Sequence, residues 1–309
     1  MIKRLLNATA ACALLLAGPA LAQTAPTPAP APAPAPAKTV DADPALWVVK
    51  DKDTTIYLFG TIHVLKPGLS WFDEAVKTAF DKSDQLVLEI TLPTDQAETQ
   101  AIVKPLAIDT STTLTAKIPE KDRPTYAAAL TKMGLPPAAL DPLQPWFASV
   151  TLSQIQLQRA GYSADNGVEK SLDAAAKAEH KPVIGLETLT QQLHYFADLP
   201  QDEQIKFLLS GIKELDTFDG TINEMVDDWA KGQPDKLAEL LNRDFDASPL
   251  IVKTLLTDRN ARWADWIDQR LKQPGTIFIA VGAGHLAGPN SVQAQLEAKY
   301  HVKAQRIAY

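Results

Sequence analysis

Apolar runs of strand length open and close the folding part of the chain, and helix-spaced apolar positions fill the stretch between them. Leu46-Trp47-Val48-Val49 and Thr55-Ile56-Tyr57-Leu58-Phe59 flank the turn-forming Asp51-Lys52-Asp53, which predicts a β-hairpin. Between Trp71 and Lys82, Phe72, Ala75, Val76, Ala79 and Phe80 fall on one helical face. Gln85 to Ile90 is a short apolar strand with one carboxylate, Glu89, near its end. From Thr94 to Ala160 the pattern is mostly helical. Pro119-Glu120 opens one helix that Gly134-Leu135-Pro136 closes, and Pro145 opens another that runs to Arg159. An Ala-rich helix follows over Val168–Glu179, then a strand over Lys181–Gly185 with Leu186-Glu187-Thr188 just beyond it. Helices dominate from Asp202 to Gln273. Strands at Thr276–Val281 and Val302–Arg306, separated by a helix over Ser291–Lys299, give a βαβ-like ending. The whole predicts an α/β fold: a central mixed sheet built from N- and C-terminal segments, with a large helical middle region acting as cap or lid. One domain covers residues 43–309.

What precedes that domain has a different character. Residues 1–22 read as an export signal: Lys3 and Arg4, an apolar stretch from Leu5 to Ala17, then Ala20-Leu21-Ala22 as a small-residue cleavage site. The apolar stretch is shorter than the ~20 residues a membrane span needs, so no integral membrane segment is expected after cleavage. A retained anchor, or a lipoprotein built on Cys12, are the alternatives. Residues 23–42 form an Ala/Pro-rich spacer in which Pro26 to Pro36 alternate with Ala or Thr, a composition that cannot build a core. The expected location is periplasmic or secreted. Cleavage would remove Cys12, the chain's one cysteine, leaving no disulfide and no thiolate ligand. It would also remove Lys3 and Arg4, taking the formal net charge from −7 to −9. That balance argues against nucleic acid as a partner.

Candidate chemistry sits at strand exits. Gly60-Thr61-Ile62-His63 and Gly282-Ala283-Gly284-His285 each follow an apolar strand directly. That is the C-terminal strand edge where α/β proteins place their sites. Glycine there allows close backbone approach or a positive φ, and the histidine three residues on can project over the strand ends. The plainer reading has both histidines satisfying loop backbone. His180, His194 and His301 lack this setting and read as structural or solvated. Glu89, flanked by aliphatics, is costly to bury unless paired, hydrogen-bonded or metal-bound; simple alternation onto a wetter sheet face is its other reading. Two imidazoles and a carboxylate suit a divalent ion with open positions, so His63, His285 and Glu89 are the candidate metal ligands. Glu187 is either a second carboxylate at the same edge or a helix N-terminal acid. Glu169 has the same ambiguity and leans structural. Arg259 could clamp a substrate carboxylate or an oxyanion, or lie in a surface ion pair. The chain has no P-loop, no dinucleotide Gly-x-Gly-x-x-Gly after a strand, no Gly-x-Ser-x-Gly elbow and no His-Glu-x-x-His helix.

Taken in order, Tyr57 to His63, Leu86 to Glu89, Pro182 to Thr188 and Val281 to Leu286 resemble the TraB/PrgY/GumN family over about Pro44 to Tyr309. That family is similar to the Tiki proteins, described as metal-dependent proteases, and falls in a wider group with the erythromycin esterases and ChaN-like proteins. The resemblance implies an α/β core with paired Gly-x-x-His motifs and a strand-borne glutamate. It points to His63, Glu89 and His285, and to Arg259. Glu169 and Glu187 match family positions without giving them a role.

The expectation is therefore an exported metal-dependent hydrolase, acting on a peptide or small ester, with His63, Glu89, His285, Arg259 and Glu187 as catalytic residues and Mn, Co or Zn as the ion. A metal-free esterase using His63 as general base is a further form of that reading. The rival is a non-catalytic protein that sequesters a peptide or envelope component. The sequence does not fix the oligomeric state.

Overall fold

Strand formation follows the apolar runs. The computed structural model describes residues 39–242 and 248–309. In it β1 (Val40–Asp41) pairs in parallel with β4 (Leu69–Ser70) as a small separate sheet. β2 (Leu46–Lys50) and β3 (Thr54–Thr61) form the expected hairpin. Its turn is held by Asp51, whose carboxylate accepts the N–H groups of Asp53 and Thr54 at 3.1 and 2.8 Å. With β5 (Gln85–Ile90), β6 (Val183–Glu187), β7 (Gly275–Gly282) and β8 (Gln305–Arg306) they make a six-stranded sheet in the order β6-β5-β7-β3-β2-β8. β6, β5, β7 and β3 run parallel, while β2 is antiparallel to both β3 and β8. The continuous apolar runs of β5 and β7 are what a parallel strand covered on both faces requires.

The helices are, in order, α1 (Glu74–Asp81), α2 (Gln96–Ala107), α3 (Leu114–Lys117), α4 (Arg123–Lys132), α5 (Pro145–Arg159), α6 (Val168–Ala178), α7 (Leu189–Ala197), α8 (Gln201–Lys213), α9 (Phe218–Ala230), α10 (Pro234–Asn242), α11 (Pro249–Val252), α12 (Asp258–Arg270) and α13 (Val292–Tyr300). One sheet face, with Phe59, Leu86 and Phe278, packs on α1, α6 and α9 through Phe80, Leu172 and Trp229. The other face, with Ile56, Leu58, Val87 and Ile279, packs on α12 and α13 through Trp263 and Leu296. A phenylalanine buried like Phe59 or Phe278 contributes about 1.5–3 kcal/mol. The helical middle has cores of its own, one around Trp146, Phe196 and Phe207, another around Tyr126, Leu130 and Leu152. The α/β architecture and its mixed sheet of N- and C-terminal strands are those the hydrophobic pattern predicts.

Several boundaries differ for physical reasons. Helix α1 starts at Glu74 rather than Trp71, because Trp71 is spent as a core anchor stacked on Phe59 at 5.8 Å. Strand β6 extends through Leu186 and Glu187, which the sequence reading put beyond it. The last strand is only Gln305-Arg306 and is separated from β7 by two strands, β3 and β2. The fold also takes in residues assigned to the spacer, since Val40-Asp41 pair and Ala42 is buried. The export signal and residues 23–38 of the spacer lie outside the described residues. Among the described residues no helix is long and apolar enough to cross a membrane.

Candidate active site

The four parallel strands deliver the candidate residues to one edge of the sheet. His63 follows β3 by two residues, Glu89 is the penultimate residue of β5, and Glu187 ends β6. His285 lies in the 3-10 turn Ala283–Leu286 that leaves β7. Neither Gly60, Gly282 nor Gly284 has a positive φ, so conformational freedom is not their use. Gly60 instead permits close approach: a Cβ there would sit 3.0 Å from Cα of Ala283. The two Gly-x-x-His turns thus pack directly on each other.

Behind that edge lies a buried charge cluster centred on Arg259, the second residue of α12. Its Nε donates to both Glu187 oxygens at 3.0 and 3.1 Å, and its Nη2 to Glu187 Oε2 at 2.8 Å and Glu89 Oε2 at 2.6 Å. Its Nη1 donates to the Leu255 carbonyl and to His285 Nε2, both at 3.2 Å. The guanidinium stands 4.8 Å from the centre of the Trp263 ring and 5.5 Å from that of Tyr195. Because Arg259 can only donate, His285 Nε2 accepts, so the imidazole hydrogen is on Nδ1, which donates to Asn260 Oδ1 at 2.5 Å. His285 is thereby a neutral acceptor facing a cation. Glu89 takes further bonds from Gln192 Nε2 at 2.9 Å and from the Gly282 N–H at 2.7 Å. Burial pushes the Glu89 carboxyl up, but Arg259, then His63 and the Gly282 N–H, outweigh it and hold it below its ordinary value of 4.5. Arg262, half-exposed, adds a second guanidinium 3.9 Å from Glu187 Oε1.

His63 stands on the cavity side of Glu89. Its Nδ1 lies 2.5 Å from Glu169 Oε1, and the Thr61 hydroxyl donates to the same oxygen. Its Nε2 is buried and has no protein partner. Desolvation pulls the imidazole pKa down, yet Glu169, and then Glu89, outweigh that and raise it above 6.5, with Arg259 opposing. The pair depends on the start of α6. The Val168 N–H donates to the Ile62 carbonyl at 3.1 Å. A Cβ on Gly167 would overlap the His63 carbonyl oxygen, so only glycine lets α6 come this close. His63, Glu89 and Glu169 line a cavity of about 450 Å³ with residues 88–94 and one side of α6.

The structure thus gathers Glu89, Glu187, Arg259 and His285 into one hydrogen-bonded group, with His63 across the cavity wall and joined to Glu169. Arg259, Glu187 and His285 are not among the cavity's lining residues. The expected ligand trio meets this geometry unevenly. His63 Nε2, buried without a partner, suits a ligand atom. His285 Nε2 does not, since it is turned to Arg259 at 3.2 Å and its nearest approach to Glu89 is 3.9 Å. Among the described residues no group of three or more His, Cys, Asp or Glu side chains is placed to hold a metal ion. The three donors therefore do not fit a resident ion. Glu169 leans structural by sequence, yet it is the direct partner of His63. Its signal was weak: a carboxylate in the first turn of a helix, which electrostatics favours with or without a site. Asn260 and Gln192 carried no signal.

A family model described as the TraB/PrgY/gumN family matches residues 45–304. The chain is similar to YbaP of Escherichia coli strain K12, an uncharacterized protein, at 25% identity over 254 residues, covering 82% of this chain and 92% of that protein. YbaP of Shigella flexneri gives the same identity and coverage. An uncharacterized protein of Treponema pallidum strain Nichols is 22% identical over 270 residues, covering 80% of this chain and 78% of its own length. No solved structure matches. The chain belongs to the TraB/PrgY/gumN family.

Proposed function

We propose that this member of the TraB/PrgY/gumN family is an exported hydrolase in which His63 is the general base, acting on a peptide or small ester held in the cavity beside Glu89. One observation carries the reading: a buried, cavity-lining imidazole has Nδ1 tied to a carboxylate and Nε2 left without a protein partner. That division of roles is the one a histidine base needs, with one nitrogen oriented and the other open to a proton. In the proposed reaction Nε2 takes a proton from water as its oxygen attacks the substrate carbonyl. The tetrahedral intermediate then expels the alcohol or amine, which recovers that proton from Nε2. Glu169 holds the ring and steadies the imidazolium formed midway. Glu89, kept ionised by Arg259, adds a second negative charge near that imidazolium. Glu187, His285 and Asn260 act by fixing Arg259, and through it Glu89.

A divalent ion such as Mn, Co or Zn would find His63 Nε2 and Glu89 at the cavity but not the third donor, which is why the metal-free form of the reaction is preferred. The test is a panel of p-nitrophenyl esters and fluorogenic peptides, assayed on wild type, His63→Ala and His63→Gln. Loss of the base should lower kcat/KM about 10²–10⁴-fold. The wild-type rate should rise with pH through an apparent pKa above 6.5. Full activity in His63→Ala overturns the proposal. Activity lost to chelator and restored by one of the three ions restores the metal reading. Saturable peptide binding without turnover would favour the sequestering function instead.

A further inference from the structure

We propose that the cavity beside His63 is an acyl pocket, selecting substrates whose carbonyl carries an apolar acyl group; the inference rests on the hydrolase reading and deepens it. Its wall is carbon where it is deepest in the fold. Leu88 and Ile90 come from β5, Leu92 and Pro93 from the segment leaving it, Val183 from β6 and Ala164 from the turn before α6. Leu88 and Ile90 are 6% and 7% exposed, so the β5 part of the lining belongs to the interior, while Leu92, Pro93, Ala164 and Val183 are half-buried.

Apart from Glu89 and Glu169, the charged lining residues are Lys170, Asp173 and Lys177 on α6, and these pair among α6 and its neighbouring turn. The Lys177 side chain is 71% exposed and pairs with Asp173 at 2.5 Å. Lys170, 54% exposed, pairs with Asp165. Their ends neutralise their own neighbours at the mouth instead of meeting a ligand inside. Thr91 and Thr94 add two hydroxyls along the 91–94 segment, too few donors for a sugar or a phosphate. The inner polar groups are those of the proposed chemistry, His63, Glu169 and Glu89. Polarity thus runs from a charged mouth, along an aliphatic wall, to a reactive end. A molecule matching that order presents a carbonyl at His63 and a hydrocarbon chain along the wall. At about 450 Å³ the space is within the ~300–1,000 Å³ typical of small-ligand pockets.

The acyl group could come from an alkyl ester or from an apolar amino acid, and two substrate series separate these. Across p-nitrophenyl acetate, butyrate and hexanoate, kcat/KM should rise about fourfold per added CH₂, the factor equivalent to ~0.8 kcal/mol of buried CH₂. Across aminoacyl p-nitroanilides, Leu should exceed Ala by about tenfold or more if the natural source is a peptide, whereas for an ester source the anilides should not be turned over while the ester series still rises. Leu92→Asp, at a half-buried position, should lower the hexanoate-to-acetate ratio at least tenfold, and Val183→Trp should do so by filling the space. Binding is read apart from turnover. An undecanoic acid bearing a dansyl group should give saturable fluorescence with the full-length His63→Gln chain and lose it in the His63→Gln, Leu92→Asp double variant. Hydrolysis with flat substrate series and no probe binding sinks the acyl pocket and leaves the hydrolase. Probe binding lost in the Leu92→Asp double variant, with no hydrolysis of any substrate, sinks the hydrolase and leaves the pocket.

Discussion

Replacing Arg259 by methionine separates the charge-cluster argument from ordinary core packing. The residue is 1% exposed, Glu89 is 2% and Glu187 is 7%. All five guanidinium N–H groups are used, one from Nε and two from each Nη. Methionine fills much of the volume but takes the buried cation away from Glu89 and Glu187 and removes the Arg259 bond to the Leu255 carbonyl. Breaking a buried ion pair by removing one partner costs about 3–5 kcal/mol. For a domain of this size that is a fall in Tm of roughly 5–10 °C. Arg259→Lys should recover little, because an ammonium cannot span Glu89, Glu187 and His285 at once. The triple variant Arg259→Met, Glu89→Gln, Glu187→Gln should recover most of the loss, since no buried charge is left uncompensated. The pH dependence has a definite sign. In wild type the Glu89 carboxyl is held below 4.5, so its contribution is complete above 4.5 and fades as pH falls through the folded value. In Arg259→Met the largest force opposing burial is gone and only His63, the Gly282 N–H and Gln192 remain, so the carboxyl moves up, and the deficit against wild type should be largest near pH 7–8 and shrink as pH falls towards 4.5. Urea unfolding followed by circular dichroism, at intervals from pH 4 to pH 8, measures it. A loss under about 1 kcal/mol, or one that is flat with pH, would refute the cluster as described.

Glu169→Gln should drop the His63 imidazole below 6.5, because burial then acts with less opposition, and an NMR titration of the ring reads it directly. The raised wild-type value stabilises fully below pH 6.5 and is lost as pH rises through the folded value; relative to Glu169→Gln, wild type should therefore lose stability over that upper window. Gly60→Ala should cost about 1–3 kcal/mol by overpacking, because its Cβ would meet Ala283 Cα at 3.0 Å and Cβ at 3.1 Å. Adding Ala283→Gly should return only part of that, since the backbone contact remains; complete recovery would mean that the two turns are not packed as described.

The sheet was legible because its strands are buried on both faces and leave uninterrupted aliphatic runs, as Leu86-Val87-Leu88 and Ile277-Phe278-Ile279 do. Where a run is interrupted the pattern loses the strand. Gly185 hid the continuation of β6 into Glu187, and the polar Gln305-Arg306 pair with β2 while exposed. The site was legible to the extent that strand exits are. The histidines and both strand-borne glutamates were found because a polar residue after an apolar run is conspicuous in one dimension. What a single sequence could not show is which carboxylate faces which base. Glu89 and Glu187 looked like reactive groups and are bound to Arg259, whereas Glu169 looked like a helix-start acid and holds His63. That exchange follows from charge balance across residues 25 to 170 apart in the chain, set by α12 and α6 packing near the strand ends from different directions. The same exchange moves the chemistry. With His285 committed as acceptor to Arg259, the ring nitrogen left without a protein partner is that of His63, so the proposed reaction turns on what that nitrogen does with a proton.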